Sequence, residues 1–264
     1  MPELFDPLTT ENPLVSILTT VKNGERSIAL TMTSVLKQCY ENIEYIVIDG
    51  GSSDNTAAVI GSIKDDRIRF SVETDAGVYY GMNNAISKAN GKIIAILNSG
   101  DTFYNDSVID KVVRLYSQQT DENVVFNGGI KLVDNDGNAL ADVIRDKSIL
   151  HMKYMLMPIN HPAFFVPKYV YEKYGVFNTA FRTGADYEFV LRLSRKARFV
   201  FFSDICTIVP PLGLSSYANN ILPVLDECYS IRSLYVNKLV NKILYALQYL
   251  FFTASRLKKK LAGQ

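Results

Sequence analysis

What this chain of 264 residues has little of is cysteine, net charge and long apolar sequence. Its three cysteines, Cys39, Cys206 and Cys228, are odd in number, far apart and without C-x-x-C spacing. That excludes a zinc ribbon or a redox pair and predicts reduced, buried thiols. Lys and Arg number 28 against 27 Asp and Glu, so a net charge of +1 supplies no field for gripping a polyanion, and nucleic acid is not an expected partner. The longest nearly uninterrupted apolar stretch, Ile243 to Phe252, is about half of what a membrane-spanning helix needs. The first residues, MPELFDPLTTENP, carry acids and prolines where a secretion signal would need a basic start and an apolar run, so a cytoplasmic location is expected. Two nucleotide-binding signatures are missing as well. The first strand is followed by Gly24 alone rather than G-x-G-x-x-G, and no G-x-x-x-x-G-K-[ST] occurs.

What is present is a hydrophobic content of 48%, enough for a substantial core, arranged in alternating strand-like and helix-like runs. LVSILTT, IEYIVI, RIRFSVE and the run Lys92 to Leu97 read as strands. Between them, GERSIALTMTSVLKQ, a segment from about Ala57 and Val78 to Ala89 read as helices. This βαβαβαβ series predicts an α/β fold with a mostly parallel sheet flanked by helices. After a helix over about Ser107 to Ser117, two strand-like runs surround Asn135-Asp136-Gly137, a hairpin signal that makes the sheet mixed. Helices near Lys168 to Tyr174 and Asp186 to Arg195, a strand at Phe199 to Phe202 and a helical tail complete the pattern. No internal repeat or linker interrupts it.

Ligands of an open α/β sheet bind at the carboxyl ends of its strands, and here those positions are acidic. The first strand runs into Thr20-Val21-Lys22-Asn23-Gly24, the second into Asp49, the third into Glu73-Thr74-Asp75 and the fourth into Asn98-Ser99-Gly100-Asp101. Any one of these alone reads as a helix cap or turn residue. Together they suit a divalent cation and a diphosphate, since a hard cation takes oxygen ligands of this type.

In order along the chain, PLVSILTTVKNGE, IEYIVIDGGSSDNT, ETDAGVYYGMNNAI, GKIIAILNSGD, NHPAFFVP and GADYEF resemble the inverting glycosyltransferases of family two. Those enzymes have the GT-A fold, and the bacterial members building O-antigen, colanic-acid-like and capsular polysaccharides are the most similar. The resemblance spans about Leu14 to Ser216. It implies a Rossmann-type GT-A-like domain over residues 1–217, with a nucleotide-sugar half at about 14–101 and an acceptor half at about 102–217, and a helical extension over 218–264. It implies transfer of a sugar from a nucleotide diphosphate donor, a UDP-sugar above all, to a hydroxyl of a saccharide or lipid-linked saccharide, assisted by Mn2+ or Mg2+. A metal-dependent nucleotidyltransferase and a non-catalytic nucleotide-binding module are the rival classes.

Position by position, the resemblance implies that Asp49 contacts the base, with Thr20, Val21, Asn23 and Glu25 forming the other wall of its pocket. Asp75 and Gly77 would close over base and ribose, and Asn83 would reach the donor. Asn98-Ser99-Gly100-Asp101 stands where the family has a D-x-D-type motif, with Asp101 retained as metal ligand and Asn98 and Gly100 supplying no charge. Asp186 matches the general base, and Glu188, two residues on, points to a different side of the helix. His161, in Asn160-His161-Pro162, can hydrogen-bond a sugar or phosphate. Pro210-Pro211-Leu212-Gly213-Leu214-Ser215-Ser216 replaces a Gly-Gly-x-Ser loop, with Leu212 in place of a glycine.

The tail, KLVNKILYALQYLFFTASRLKKK, ends in Arg256, Lys258, Lys259 and Lys260. Peripheral contact with an anionic membrane surface fits this pattern, and packing on the domain or on a second copy fits its apolar part equally.

Overall fold

The computed structural model describes residues 12–74, 77–211 and 221–261. The first half alternates strand and helix: β1 (Val15–Val21), α1 (Ile28–Leu36), β2 (Ile43–Asp49), α2 (Thr56–Ser62), β3 (Ile68–Val72), α3 (Val78–Lys88) and β4 (Ile93–Ile96). Next come β5 (Thr102–Phe103), α4 (Val108–Ser117) and the hairpin of β6 (Val124–Val133) and β7 (Ala139–Val143). Two 3-10 segments, Lys147–Met152 and His161–Ala163, lead to β8 (Phe164–Pro167), α5 (Lys168–Tyr174), α6 (Ala185–Leu193) and β9 (Arg198–Val209). The described chain ends with α7 (Ile221–Arg232) and α8 (Lys238–Leu261).

The strands form one sheet in the order β3-β2-β1-β4-β8-β6-β9-β5, with β7 on β6. β1 pairs in parallel with β2 and β4, and β2 with β3, as the alternating pattern requires. β8 then enters antiparallel between β4 and β6 and makes the sheet mixed. Every residue of β2 and β4 is buried, the mark of strands covered on both faces. Successive side chains serve opposite cores. Ile17, Tyr45 and Val47 meet α1 and α4 through Met32, Val35 and Val112, whereas Leu18, Ile46 and Ile48 meet α3 and α6 through Met82, Ile86 and Phe189. A glycine is required before β4, because a Cβ on Gly91 would lie 2.6 Å from the backbone nitrogen of Ser16 and 2.8 Å from the Leu14 carbonyl.

Several expectations are refined. α1 begins four residues after Gly24, since Gly24 to Ser27 form the turn that leads into it. α2 has no side-chain bond from its N-cap Asn55; instead Asp54 accepts the N–H of Thr56. The strand expected at Phe199 to Phe202 runs on to Val209, and β5 and β8 were not expected. All three cysteines are free, but only Cys206 is buried; Cys228 is half-buried and Cys39 exposed. No helix among the described residues is long and apolar enough to cross a membrane.

The C-terminal helices are joined by a polar interior. The Arg232 side chain is fully buried, donating from Nε to Asn241 at 3.0 Å and from Nη1 to Gln248 at 2.7 Å. Asn241 in turn donates to the Tyr229 carbonyl, and Gln248 to that of Met155. Seven residues apart, Asn241 and Gln248 share one face of α8. The opposite face carries Leu239, Ile243 and Leu250, which are 70%, 52% and 62% exposed. Arg232→Ala would leave both amides short of a partner inside the protein, at an expected cost of about 2–4 kcal/mol. A urea midpoint equal to that of the wild type would rule out a stabilising role for this network.

Candidate active site

Because β1, β2 and β4 run the same way, the residues that follow them share one edge of the sheet. At that edge Thr20, Val21, Lys22, Ile48, Gly50, Gly77 and Val78 line a cavity of about 370 Å³. Two buried oxygens here lack a hydrogen-bond partner: Oγ1 of Thr20 and Oδ2 of Asp49. Asp49 Oδ1 is committed, accepting from the backbone N–H of Ser52 at 2.9 Å and from its hydroxyl at 2.6 Å. An unpaired buried acceptor is costly, so one that a ligand donor can satisfy marks a binding place. Register places Asp49 opposite Val21 and Thr20 opposite Ile48, so the two side chains leave the sheet on opposite faces. A wider depression of about 620 Å³ lies around Ile63 to Phe70, at the amino end of β3 and away from this edge.

Asn23 and Glu25 do not face that cavity. Asn23 Oδ1 accepts the Ser53 N–H and Glu25 Oε2 the Asn55 N–H, tying the loop after β1 to the loop after β2. Asn23 does so from the left-handed region, at φ 55°, which asparagine tolerates. The Asn83 amide bridges the Phe177 backbone in both directions, donating to the carbonyl at 2.8 Å and accepting the N–H at 3.0 Å, and so braces α3. Glu73 is paired with Lys88 and is not an uncompensated acid. Asp75, Leu212, Gly213 and Ser215 lie outside the described residues.

Asp101 follows β4 and precedes β5, so it caps no helix; Ser107 occupies the N-cap of α4. The turn bearing it is pinned by Thr31 of α1, whose hydroxyl accepts the Gly100 N–H at 2.9 Å and donates to the Asp101 carbonyl at 2.8 Å. Gly100 adopts φ 104°, which a residue with a side chain would resist, and Ser99 bonds the Ser27 hydroxyl. The Asp101 carboxyl is buried, and its one side-chain partner is the Asn98 amide at 3.3 Å. Burial pushes its pKa up to about 7, with the Asn98 hydrogen bonds opposing. Among the described residues no Lys or Arg pairs with this buried carboxyl, and such a group fits a site that a divalent ion enters. Among the described residues no three His, Cys, Asp or Glu side chains cluster to hold a metal, so most of a cation's shell would come from diphosphate and water.

The other carboxyl of interest opens α6. Asp186 Oδ1 accepts from the Tyr79 hydroxyl at 2.9 Å and from the Tyr187 N–H at 2.8 Å, while Oδ2 accepts no hydrogen bond from the described residues. Glu188 is fully engaged, with one oxygen on Tyr235 at 2.7 Å and the other on Arg192 at 2.9 Å. His161 stacks obliquely on Phe177 at 6.2 Å between ring centres. Burial lowers its pKa and the Asp186 charge acts in the opposite sense. Asn127 places it, donating from its amide to the carbonyls of Asn160 and Ala163 on either side of His161 and Pro162. A smaller cavity of about 200 Å³ adjoins Asp186, with Met157, Thr183, Val224 and Cys228 in its wall.

Three residues that sequence reasoning passed over therefore build the site: Tyr79, Thr31 and Asn127. A hydroxyl or amide inside an apolar run, as in IALTMTSVL and VVFNGG, was the available signal.

The raised Asp101 pKa has a consequence for stability. In the unfolded chain the group titrates near 3.9, so between that value and about 7 the folded state holds the extra proton. Stability from this group is full below the lower value and is lost as pH rises through the upper one. Asp101→Asn should therefore melt with the wild type near pH 4 and at a higher temperature at pH 8, both without metal. Equal melting temperatures at pH 8 would contradict the buried, unpaired carboxyl.

Comparisons with known proteins bear on the family and the fold. An uncharacterized glycosyltransferase of Rickettsia bellii is 27% identical over 261 residues, covering 94% of this chain and 37% of that protein. One of Haemophilus influenzae is 34% identical over 140 residues, covering 52% of this chain and 55% of that protein. The chain thus spans about two fifths of the length of the Rickettsia bellii and Rickettsia felis relatives, at 37% and 42%, and 74% of the Rickettsia prowazekii one. Among solved structures, Staphylococcus aureus TarS in complex with UDP-GlcNAc superposes with a TM-score of 0.65 at 14% identity, over 89% of this chain and 71% of that one. The mannosyltransferase PcManGT from Pyrobaculum calidifontis, in complex with GDP-Man and Mn2+, gives 0.64 at 17% identity over 100% and 80%. Both likenesses show the mixed α/β fold. The family model described as Glycosyl transferase family 2 matches residues 16–175, more than half of the chain, and the chain belongs to that family.

Proposed function

We propose that this chain is an inverting, metal-assisted glycosyltransferase, moving a sugar from a nucleoside diphosphate to a hydroxyl of a saccharide or lipid-linked saccharide. The observation that carries this reading is the state of Asp186: one oxygen is held by Tyr79, the other has no hydrogen-bond donor among the described residues, and the residue lines a cavity. An acceptor hydroxyl placed there gives its proton to Oδ2 as its oxygen attacks the anomeric carbon. The bond from that carbon to the diphosphate breaks on the opposite side, and the electron pair leaves with the diphosphate. Asp101 would hold the divalent cation, which when bound neutralises charge on the leaving group. The Mn2+ in the complex of PcManGT supports that choice of cofactor, and the order of the sequence motifs supports a bacterial surface polysaccharide as setting.

Uridine is the favoured base. With Oδ1 committed to Ser52, Asp49 offers one acceptor, which matches the single imide N–H of uracil. The complexes of TarS with UDP and UDP-GlcNAc support uridine, and that of PcManGT with GDP-Man supports the alternative. Calorimetry with UDP and GDP in Mn2+ decides between them, and GDP binding at least as tightly would overturn the assignment. For the chemistry, Asp186→Asn should keep donor affinity and lower turnover by about a hundredfold or more, the scale of lost general-base help. An active Asp186→Asn protein would remove the base.

The chain also reads as a peripheral membrane protein on the cytoplasmic face, through the outer side of α8. Leu239, Ile243 and Leu250 are exposed along one stripe, and Arg256, Lys258, Lys259 and Lys260 follow in the sequence of the same helix. Apolar burial plus attraction to anionic headgroups would hold such a helix in the interface plane. Replacing the three apolar residues with serine should abolish sedimentation with phosphatidylglycerol vesicles and leave the fold intact. Undiminished binding of that variant would exclude this surface.

A further inference from the structure

The turn that carries Asp186, which like α7 lies beyond the residues matched by the family model, is gripped from α7. Glu227, on α7, accepts the backbone N–H of Arg182 on Oε1 at 2.5 Å and that of Thr183 on Oε2 at 2.8 Å. Oε2 also accepts the Thr183 hydroxyl. Gly184 follows, so close to α7 that a Cβ there would lie 2.8 Å from Ile231 Cδ1 and 3.5 Å from Glu227 Oε2. α6 starts at the next residue, with Asp186 in its first turn.

On the other side the Tyr79 hydroxyl reaches both the Thr183 carbonyl, at 3.1 Å, and Asp186 Oδ1. Thr183 is thus held at its N–H and hydroxyl by Glu227 and at its carbonyl by the tyrosine that also orients Asp186. A carboxylate suits the first task, because both of its oxygens accept and its bonds to N–H groups are charge-assisted. Glutamine would turn an NH2 group toward a backbone N–H on one side. α7 can serve as an anchor because Arg232, five residues on, joins it to α8 and so, through Gln248, to Met155.

We propose that Glu227 is a positioning residue for Asp186: by fixing the 182–184 turn against α7, it sets where the carboxylate stands toward the acceptor. The C-terminal helices are then part of the catalytic apparatus. This rests on the reading of Asp186 as general base.

The test compares the intact protein with Glu227→Gln, Asp186→Asn and the double variant. The substrate is whichever of a panel of UDP- and GDP-sugars gives the fastest nucleoside diphosphate release in Mn2+, with water as acceptor. Glu227→Gln should lower kcat by about tenfold or more, leaving donor KM and calorimetric Kd within about twofold. In the double variant it should cost nothing further, because a residue acting through Asp186 has no effect once the base is gone. Should Glu227→Gln fail to fold, Thr183→Val takes its place, with a smaller loss of kcat and the same dependence on Asp186. Wild-type kcat in the folded single variant overturns the proposal. So does a double variant slower than Asp186→Asn by the full factor seen in the single one, since that marks general destabilisation. Wild-type turnover in Asp186→Asn instead removes the base reading itself, whatever Glu227→Gln does.

Discussion

The common direction of β1, β2 and β4 is the constraint on which the rest of the structure depends. Parallel neighbours cannot be joined by a tight turn, so each connection crosses a face of the sheet as a helix, and both faces become covered. With the faces apolar, polar side chains are displaced to the strand ends. All the carboxyl ends fall on one edge, and the loops there are free to differ. Asp49 with its uncommitted oxygen and Asp101 with its buried carboxyl are both products of that arrangement, with β1 running between the strands they follow. Their separation by a strand is a reason to give them different tasks.

α3 connects the two halves of the site. Its first residues, Gly77 and Val78, border the cavity at the strand ends, and Tyr79 holds Asp186. Asn83, one turn further, is bonded to Phe177, against whose ring His161 lies. A single short helix therefore borders the strand-end cavity at its start and braces Asp186 and Phe177 with its next turn, so small shifts of α3 would be felt at both places.

The parts of this fold that were legible in the sequence are those set by local pattern. β1, β2 and β4 are short runs of β-branched and aliphatic residues, the hairpin announces itself through Asn135-Asp136-Gly137, and the strand-end location of Asp101 follows from counting along its run. β8 was not legible because Phe164 to Pro167 are only four residues, the last a proline and Pro162 just before them, and their pairing with β4 joins segments about 70 residues apart. The engagement of Asn83 and Glu73 was hidden for a related reason. A polar side chain on a helix or after a strand looks the same whether its partner is a ligand, Phe177 or Lys88. That no Lys or Arg among the described residues pairs with Asp101 is likewise a tertiary fact, invisible until the chain around it is placed.

α8 inverts the usual order of a surface helix, with Arg232, Asn241 and Gln248 forming a polar seam within and aliphatic side chains facing out. A tail of this build is not modular. Were it only an anchor, it could be deleted or grafted onto another protein without consequence for the domain it leaves behind. Because its amides are the partners of a guanidinium rooted in α7, cutting it away would strip a buried cation of its contacts and loosen the helix that carries Glu227. Whatever surface α8 meets, it meets as a structural part of the domain, and shortening the chain would alter the part left behind.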